Sequence, residues 1–304
     1  AVVREIADDI IVLNNGEIVE RSTPAKIISA PSVEYTKQLL SQIPRIWETE
    51  EKFVPEDAVR DEKVILRVED VYKTYRVKDP KQFFGYNDVE AVRGVTFDVH
   101  AGENFGIVGE SGCGKSTLSR LLSWVEAPEK GTIWYEDADL SNMRRRDIIA
   151  LRRRFQLLLQ DPYNALPPHM AVGRTIAEPL IIHGGMKSKE IRDRVRAVMV
   201  EVGLSDSLYG DLLVGLSAGQ RQRINLARAL VLEPQLLILD ETLSALDQVE
   251  QSRLLETFER LQQEHGFTYI FISHDLAMVR RACTRIAVMY LGKVVELADN
   301  HSVF

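Results

Sequence analysis

The sequence predicts an α/β fold whose core is rich in parallel strands, and three observations carry that prediction. Short runs of β-branched residues come first, in VILRVEDVYKTYRV and VEAVRGVTFDVHAGENFGIVGE. Apolar spacing of three and four residues then takes over in KEIRDRVRAVMVEVG and QVEQSRLLETFERLQQEHG, the period of amphipathic helices. Flanking the second of these stand QLLILD and TYIFIS, compact apolar runs that suit strands covered on both faces. Strands first and helix alternating with strand afterwards is the order of an α/β core with attachments.

With 304 residues, 45% hydrophobic and 27% charged, the chain can bury one large core or two smaller ones. A formal net charge of −7 argues against a chain built mainly to neutralise nucleic-acid backbones. The two cysteines, Cys113 and Cys283, are far apart in sequence and suggest neither a disulfide framework nor a metal cluster. No stretch approaches the ~18 consecutive apolar residues of a spanning helix.

The first residues repeat the last. At an offset of 276, Ala1, Val3, Arg4, Ile10, Val12, Gly16, Val19 and Glu20 fall on Ala277, Val279, Arg280, Ile286, Val288, Gly292, Val295 and Glu296. Average composition gives about one or two such identities in twenty pairs, so an internal repeat is expected. Residues 45–63 follow, acidic and without apolar period, and read as a linker.

GESGCGKST, from Gly109 to Thr117, lies directly after the strand-like NFGIV and before the helix-like LSRLLS. That is the context of a phosphate loop rather than of a glycine-rich surface turn. Triphosphate oxygens need many N–H donors at short range, and Gly109, Gly112 and Gly114 let the backbone approach. Lys115 offers its charge to the β- and γ-phosphates and Ser116 a hydroxyl to Mg²⁺. Downstream, QLLILDE places Asp240 and Glu241 at the end of an apolar strand, where α/β sheets bind ligands. Asp240 suits Mg²⁺, and Glu241 suits the attacking water. The arginine-rich NMRRRDIIALRRRF puts Ile148 and Leu151 on one helical face with arginines around the rest, and reads as a solvated amphipathic helix rather than a nucleic-acid site.

Two further stretches, LSAGQRQRINLARAL (216–230) and ISHDLAMVR (272–280), join the phosphate loop and LILDETLSALD in a fixed order. With them, residues 64–304 resemble the ATP-binding-cassette (ABC) ATPases. The resemblance implies a RecA-like phosphate-loop core, an antiparallel β subdomain and a helical subdomain at about 161–232, with ATP and Mg²⁺ as cofactors. It implies nucleotide contacts from Gly109, Ser111, Gly112, Cys113, Gly114, Lys115, Ser116 and Thr117. Catalytic roles fall to Glu241, to His274 as the γ-phosphate switch, and to Gln160 in LLLQDPYNAL, which shares Mg²⁺ with Ser116 and Asp240. Tyr75 matches the aromatic that stacks on adenine, with Tyr72 close enough to compete for the role. Ser217, Ala218, Gly219 and Gln220 form the signature that completes the ATP site of an opposing domain, and Asp247 lies in the SALD loop. The chain departs from the family pattern at Ala218, where the signature has glycine, and at Thr242-Leu243, where Pro-Thr is usual.

Tandem domains with GESGCGKST, QDPYNALPP and the PSVEYTKQLLSQIP tail are similar to the oligopeptide and dipeptide importer ATPases of bacteria. That likeness implies that residues 1–44 are the C-terminal remnant of a preceding ABC domain, 45–63 the linker, and 64–304 a second domain lacking its own tail. Implied partners are that preceding domain of the same full-length chain, two transmembrane permease subunits and, through them, an extracytoplasmic solute-binding protein. Nucleic acid is not among them. The implied location is peripheral, on the cytoplasmic face of the inner (plasma) membrane. Some relatives carry an iron–sulfur cluster in a cysteine-bearing tail; this tail has no cysteine, so no cluster is expected. The alternative function is a soluble ABC ATPase acting on ribosomes or DNA, against which stand the short acidic linker and the lack of zinc-module or coiled-coil insertions. A regulatory module without hydrolysis is disfavoured by the presence of Lys115, Asp240, Glu241 and His274 together.

Overall fold

The structure is a computed structural model and describes residues 7–14, 16–41, 63–78, 85–159, 165–244 and 246–304. The expected linker lies outside the described residues except for Lys63, whose ammonium pairs with Glu136 at 2.6 Å.

The chain opens on a hairpin of β1 (Ile10–Asn14) and β2 (Glu17–Ser22), followed by α1 (Pro24–Ser29) and α2 (Glu34–Ser41). A four-stranded antiparallel sheet in the order β4-β3-β6-β7 is built from β3 (Val64–Lys78), β4 (Tyr86–His100), β6 (Lys130–Tyr135) and β7 (Ala138–Asp139). Between its halves run β5 (Asn104–Gly109) and α3 (Lys115–Leu122), and after it come α4 (Arg145–Leu151) and β8 (Phe155–Leu158). Three helices follow, α5 (Val172–His183), α6 (Ser188–Glu201) and α7 (Ala218–Leu230). The rest alternates: β9 (Leu236–Asp240), α8 (Gln248–His265), β10 (Thr268–Ser273), α9 (Leu276–Ala282), β11 (Arg285–Tyr290), β12 (Lys293–Asp299) and α10 (Asn300–Val303).

The central sheet has six strands in the order β12-β11-β5-β10-β9-β8, parallel except for β12 at one edge. Its inner strands are apolar at nearly every position because both faces are covered. Ile238, Ile270 and Ile272 point to the core shared with α3 and the antiparallel sheet, where Leu118, Leu121, Val95 and Phe97 lie. Their neighbours Leu237, Leu239, Tyr269 and Phe271 point the other way, to a core with Phe258 of α8 and Val279 of α9. That second core also takes in Ile176, Val195, Val198 and Ile224, by which α5, α6 and α7 pack together. The functional consequence is that β5, β9 and β10 end side by side, with their C-terminal loops on one rim of the sheet.

Two details qualify the sequence reading. On α4, Ile148 is buried and Arg144, Arg145 and Arg146 are exposed, as an amphipathic helix requires. Arg152 and Arg154, however, are structural, while Arg153 between them is exposed: Arg152 donates to the Trp124 carbonyl at 2.5 Å, and Arg154 pairs with Glu136 at 2.6 Å and bonds Gln235 at 2.7 Å. Secondly, the repeat extends to backbone register. Ile10↔Ser22, Val12↔Glu20 and Leu13↔Ile18 in the first hairpin match Ile286↔Ala298, Val288↔Glu296 and Met289↔Val294 in the last, at the same offset of 276. Each hairpin has its bulge at the corresponding step and a left-handed glycine in its turn, Gly16 at φ 84° and Gly292 at φ 81°. Among the described residues only the last hairpin has a third strand beside it: β11 pairs with β5, whereas β1 and β2 form a two-stranded sheet.

Candidate functional site

Strand β5 delivers the chain to the phosphate loop and α3 takes it away, so the loop's shape is fixed at both ends. A Cβ on Gly109 would sit 2.3 Å from the Met289 carbonyl oxygen, and one on Gly114, which has φ 109°, would sit 2.1 Å from that of Ala91. Both glycines are therefore demanded by close backbone approach. Gly112 differs: with φ 81° it needs left-handed freedom, yet a Cβ there would meet nothing within 4 Å. Its outer face is open, as a loop that receives phosphates requires. Ser111 and Ser116 are exposed beside it, while Cys113 and Thr117 are buried beneath.

Lys115 is only 4% exposed, and its ammonium donates to the carbonyls of Gly109 at 2.7 Å and Glu110 at 2.9 Å. The charge is thus held under the arch of the loop, with the amides of the loop and the first turn of α3 around it, an arrangement suited to anionic oxygens.

Asp240, the last residue of β9, is 6% exposed. Ser119 of α3 donates to its Oδ2 at 2.6 Å, while Oδ1 is buried without a partner among the described residues. Burial pushes the Asp240 carboxyl above its ordinary pKa, opposed by the Ser119 hydrogen bond. A buried carboxylate oxygen with no donor among the described residues is the hard oxygen chemistry that fits Mg²⁺, as is the exposed hydroxyl of Ser116. Gln160, the third expected ligand, lies outside the described residues.

Glu241 turns the chain out of β9 at φ 47°, a left-handed conformation that costs a non-glycine residue of order 1–3 kcal/mol. Its amide donates to the Ile272 carbonyl at 2.9 Å, and the Ser244 hydroxyl donates to its own carbonyl at 2.8 Å. The turn aims its carboxylate at His274, whose Nδ1 is 3.4 Å from Oε1. The imidazole is 56% exposed and the glutamate side chain 17%, so the pair presents to solvent an acceptor that can take a water proton and a ring that can donate.

The two tyrosines are separated clearly. Tyr75 donates to Glu126 Oε2 at 2.6 Å and has Thr117 of the phosphate-loop helix as a hydrogen-bond neighbour. Tyr72 turns to Asp70 and Gly94 instead. Tyr75 is therefore the aromatic placed beside the phosphate loop.

The signature residues belong to another cluster. Ser217 is the N-cap of α7: its hydroxyl accepts from the Gln220 amide at 3.2 Å and its own amide donates to the Gln220 side chain at 3.0 Å. Gly219 abuts the first turn of α8, where a Cβ would lie 2.8 Å from Glu250 Oε2, and Asp247 caps that turn by accepting from the Glu250 amide at 2.9 Å. Ser217, Ala218, Gly219, Gln220 and Asp247 thus form one surface, and Lys115, Asp240, Glu241, His274 and Tyr75 another. Sequence reading missed Ser119, Glu126 and Glu250. Ser119 was visible in principle, as a polar residue four after Lys115 on the buried side of an apolar helix.

Comparison with known proteins follows the same residues. The sequence pattern of the ABC transporter family matches residues 92–244. The glutathione import ATP-binding protein GsiA of Pectobacterium atrosepticum is 36% identical over 100% of this chain and 52% of its own length. The oligopeptide transport ATP-binding protein OppF of Escherichia coli is 42% identical over 80% of this chain and 73% of its own. The chain therefore spans about half the length of the GsiA relatives it matches. Among solved structures, cbiO1 from Clostridium perfringens, part of the ABC transporter complex cbiONQ, superposes with a TM-score of 0.69 at 29% identity, covering 80% of this chain and 91% of that one. The ATP-binding cassette MJ0796, in a dimeric post-hydrolysis state with ADP and Pi, superposes with a TM-score of 0.68 at 24% identity over 77% and 98%, a likeness of fold.

Proposed function

Because this chain belongs to the ABC transporter family of ATP-binding proteins, we propose that it binds and hydrolyses ATP to power a bacterial importer of peptides or related solutes. The observation that carries the reading is the convergence of Lys115, Asp240, Glu241 and His274 on the rim where β5, β9 and β10 end. The names of GsiA and OppF, for glutathione import and oligopeptide transport, support this solute class.

In this reading the loop amides and Lys115 hold the β- and γ-phosphates, and Tyr75 carries the base. Glu241 orients and polarises the attacking water, and His274 donates to the γ-phosphate and steadies the glutamate. Ser116 and Asp240, with Gln160 as the expected third ligand, would hold Mg²⁺, which would supply positive charge against that of the phosphates. Ser217 and Gly219, at the positive end of α7, face the γ-phosphate of an opposing cassette, so turnover requires two cassettes. Closure on ATP and reopening after phosphate release drive two permease subunits between inward- and outward-facing states, with a solute-binding protein delivering cargo from outside. No helix among the described residues is long and apolar enough to cross a membrane, and attachment to the cytoplasmic face runs through the permease.

Residues 64–304 make up one cassette in this proposal, and residues 1–44 close a preceding one. The shared register of the two hairpins supports it. Glu241→Gln in the full-length protein is expected to lower turnover at this site by at least ~100-fold while ATP still binds. Retained turnover would refute the assigned chemistry.

A further inference from the structure

Glu126 lies outside every motif of the sequence, yet together with Thr117 it connects Tyr75 to the phosphate-loop helix. Its Oε2 accepts the Tyr75 hydroxyl at 2.6 Å, and its Oε1 accepts from Arg120 Nη1 at 3.1 Å. Arg120 in turn donates through Nε to the Ser116 carbonyl at 3.0 Å. An unbroken chain of hydrogen bonds therefore runs from the first turn of α3 through Arg120 and Glu126 to the phenol. Lys73 closes the group, 3.9 Å from Glu126 Oε2 and 5.7 Å above the centre of the Tyr75 ring.

The backbone is bent to make this possible. Helix α3 ends at Leu122, and Trp124 then takes a left-handed φ of 53°. The amides of Val125 and Glu126 both donate back to the Arg120 carbonyl, at 2.9 and 3.2 Å. An aromatic residue in that conformation is strained, and the strain folds residue 126 over the last turn of the helix. The glutamate side chain ends 27% exposed, low enough to strengthen its bonds to a phenol and a guanidinium.

We propose that Glu126 is a positioning residue for the nucleotide base: it fixes the Tyr75 ring before ATP arrives, tied to the same helix that carries Ser116. The proposal rests on the reading of Tyr75 as the base platform. A tyrosine on a half-exposed strand otherwise samples several rotamers, and ordering it on binding weakens affinity. With the phenol clamped and Lys73 over one face, the opposite face is presented to the base at a set height above the loop.

The test is equilibrium binding of Mg·ATP and of Mg·tripolyphosphate to the full-length protein. Glu126→Ala and Tyr75→Phe should each weaken ATP binding about three- to tenfold, the worth of one ordered side chain. The double variant should be no weaker than Tyr75→Phe alone, because that substitution already removes the bond to Glu126. Glu126→Gln keeps an oxygen for the phenol and should restore affinity to within about twofold. Tripolyphosphate has no base and should bind all variants and the wild type equally, which a merely structural loss at α3 would not allow. Tyr75→Ala separates the two levels. If it leaves ATP affinity unchanged, the platform reading and this proposal both fall. If it weakens ATP while Glu126→Ala and Tyr75→Phe do not, the platform stands and the role of Glu126 is refuted.

Discussion

Replacing Ser119 by alanine asks how the carboxylate on the metal side of the site is held. Ser119 is fully buried and gives Asp240 its 2.6 Å hydrogen bond, while the other Asp240 oxygen has none from the described residues. Without the hydroxyl, a carboxylate that burial already disfavours loses its donor, and the volume change is a single oxygen. A hydrogen bond to a buried charge is worth ~1.5–3 kcal/mol, so the expected loss is about 2 kcal/mol, or roughly 4–8 °C in Tm for a domain of this size. The pH dependence has a definite sign. The folded pKa of Asp240 lies above its unfolded value, so this group removes stability as pH rises from the unfolded value through the folded one. Ser119→Ala raises the folded value further and enlarges that loss. The deficit should be full near neutral pH and shrink towards the ~1 kcal/mol of a neutral hydrogen bond as Asp240 protonates. Thermal unfolding followed by circular dichroism, near neutrality and at the lowest pH the wild type tolerates, measures both quantities. An unchanged Tm, or a deficit that grows on acidification, would show that Ser119 does not hold Asp240 as a carboxylate.

Gly112→Ala and Gly114→Ala should part company. The first meets open space and costs only the ~1–2 kcal/mol of a left-handed alanine, whereas the second drives a Cβ to 2.1 Å from the Ala91 carbonyl and should cost at least ~3 kcal/mol, as read by urea unfolding. In the N-terminal segment, Glu20 accepts from the Ser32 hydroxyl at 2.6 Å, the Ser32 amide at 2.8 Å and the Val33 amide at 3.4 Å, and these bonds, with the Thr36 hydroxyl beside them, pull its carboxyl down to about 2. Its contribution is complete above the ordinary value of 4.5 and disappears as pH falls towards about 2. Glu20→Gln should loosen α2 at neutral pH as acid does in the wild type, seen as faster amide exchange over residues 34–41.

Much of this was readable in the sequence, for reasons that differ by element. GESGCGKST is contiguous, so its spacing alone located the loop, and QLLILD and TYIFIS were legible because strands covered on both faces drop polar residues. The choice between Tyr72 and Tyr75 was not legible. Register shifts at Val68/Val71, Val71/Tyr72 and Lys73/Thr74 break the alternation of β3, so counting residues cannot say which ring faces the loop. Ser119 meets Asp240 across 121 residues of sequence, and Glu126 reaches Tyr75 only because Trp124 is left-handed. Contacts of that kind arise from assembly of the sheet and leave no local period. Arg152 and Arg154 were read as solvated by the same limitation, since their acceptors on Trp124, Glu136 and Gln235 lie in other elements.

The two matched hairpins show that shape and concealment are separate properties of a strand. Ile11 and Leu13 are 46% and 58% exposed, while Ala287 and Met289, their counterparts, are 0% and 1%. A turn glycine and a bulge suffice to write the hairpin twice, but among the described residues a third strand lies beside one copy alone. What hides a hairpin's side chains is therefore the sheet it joins, as β5 and the core behind it do for β11, and not the turn that makes it.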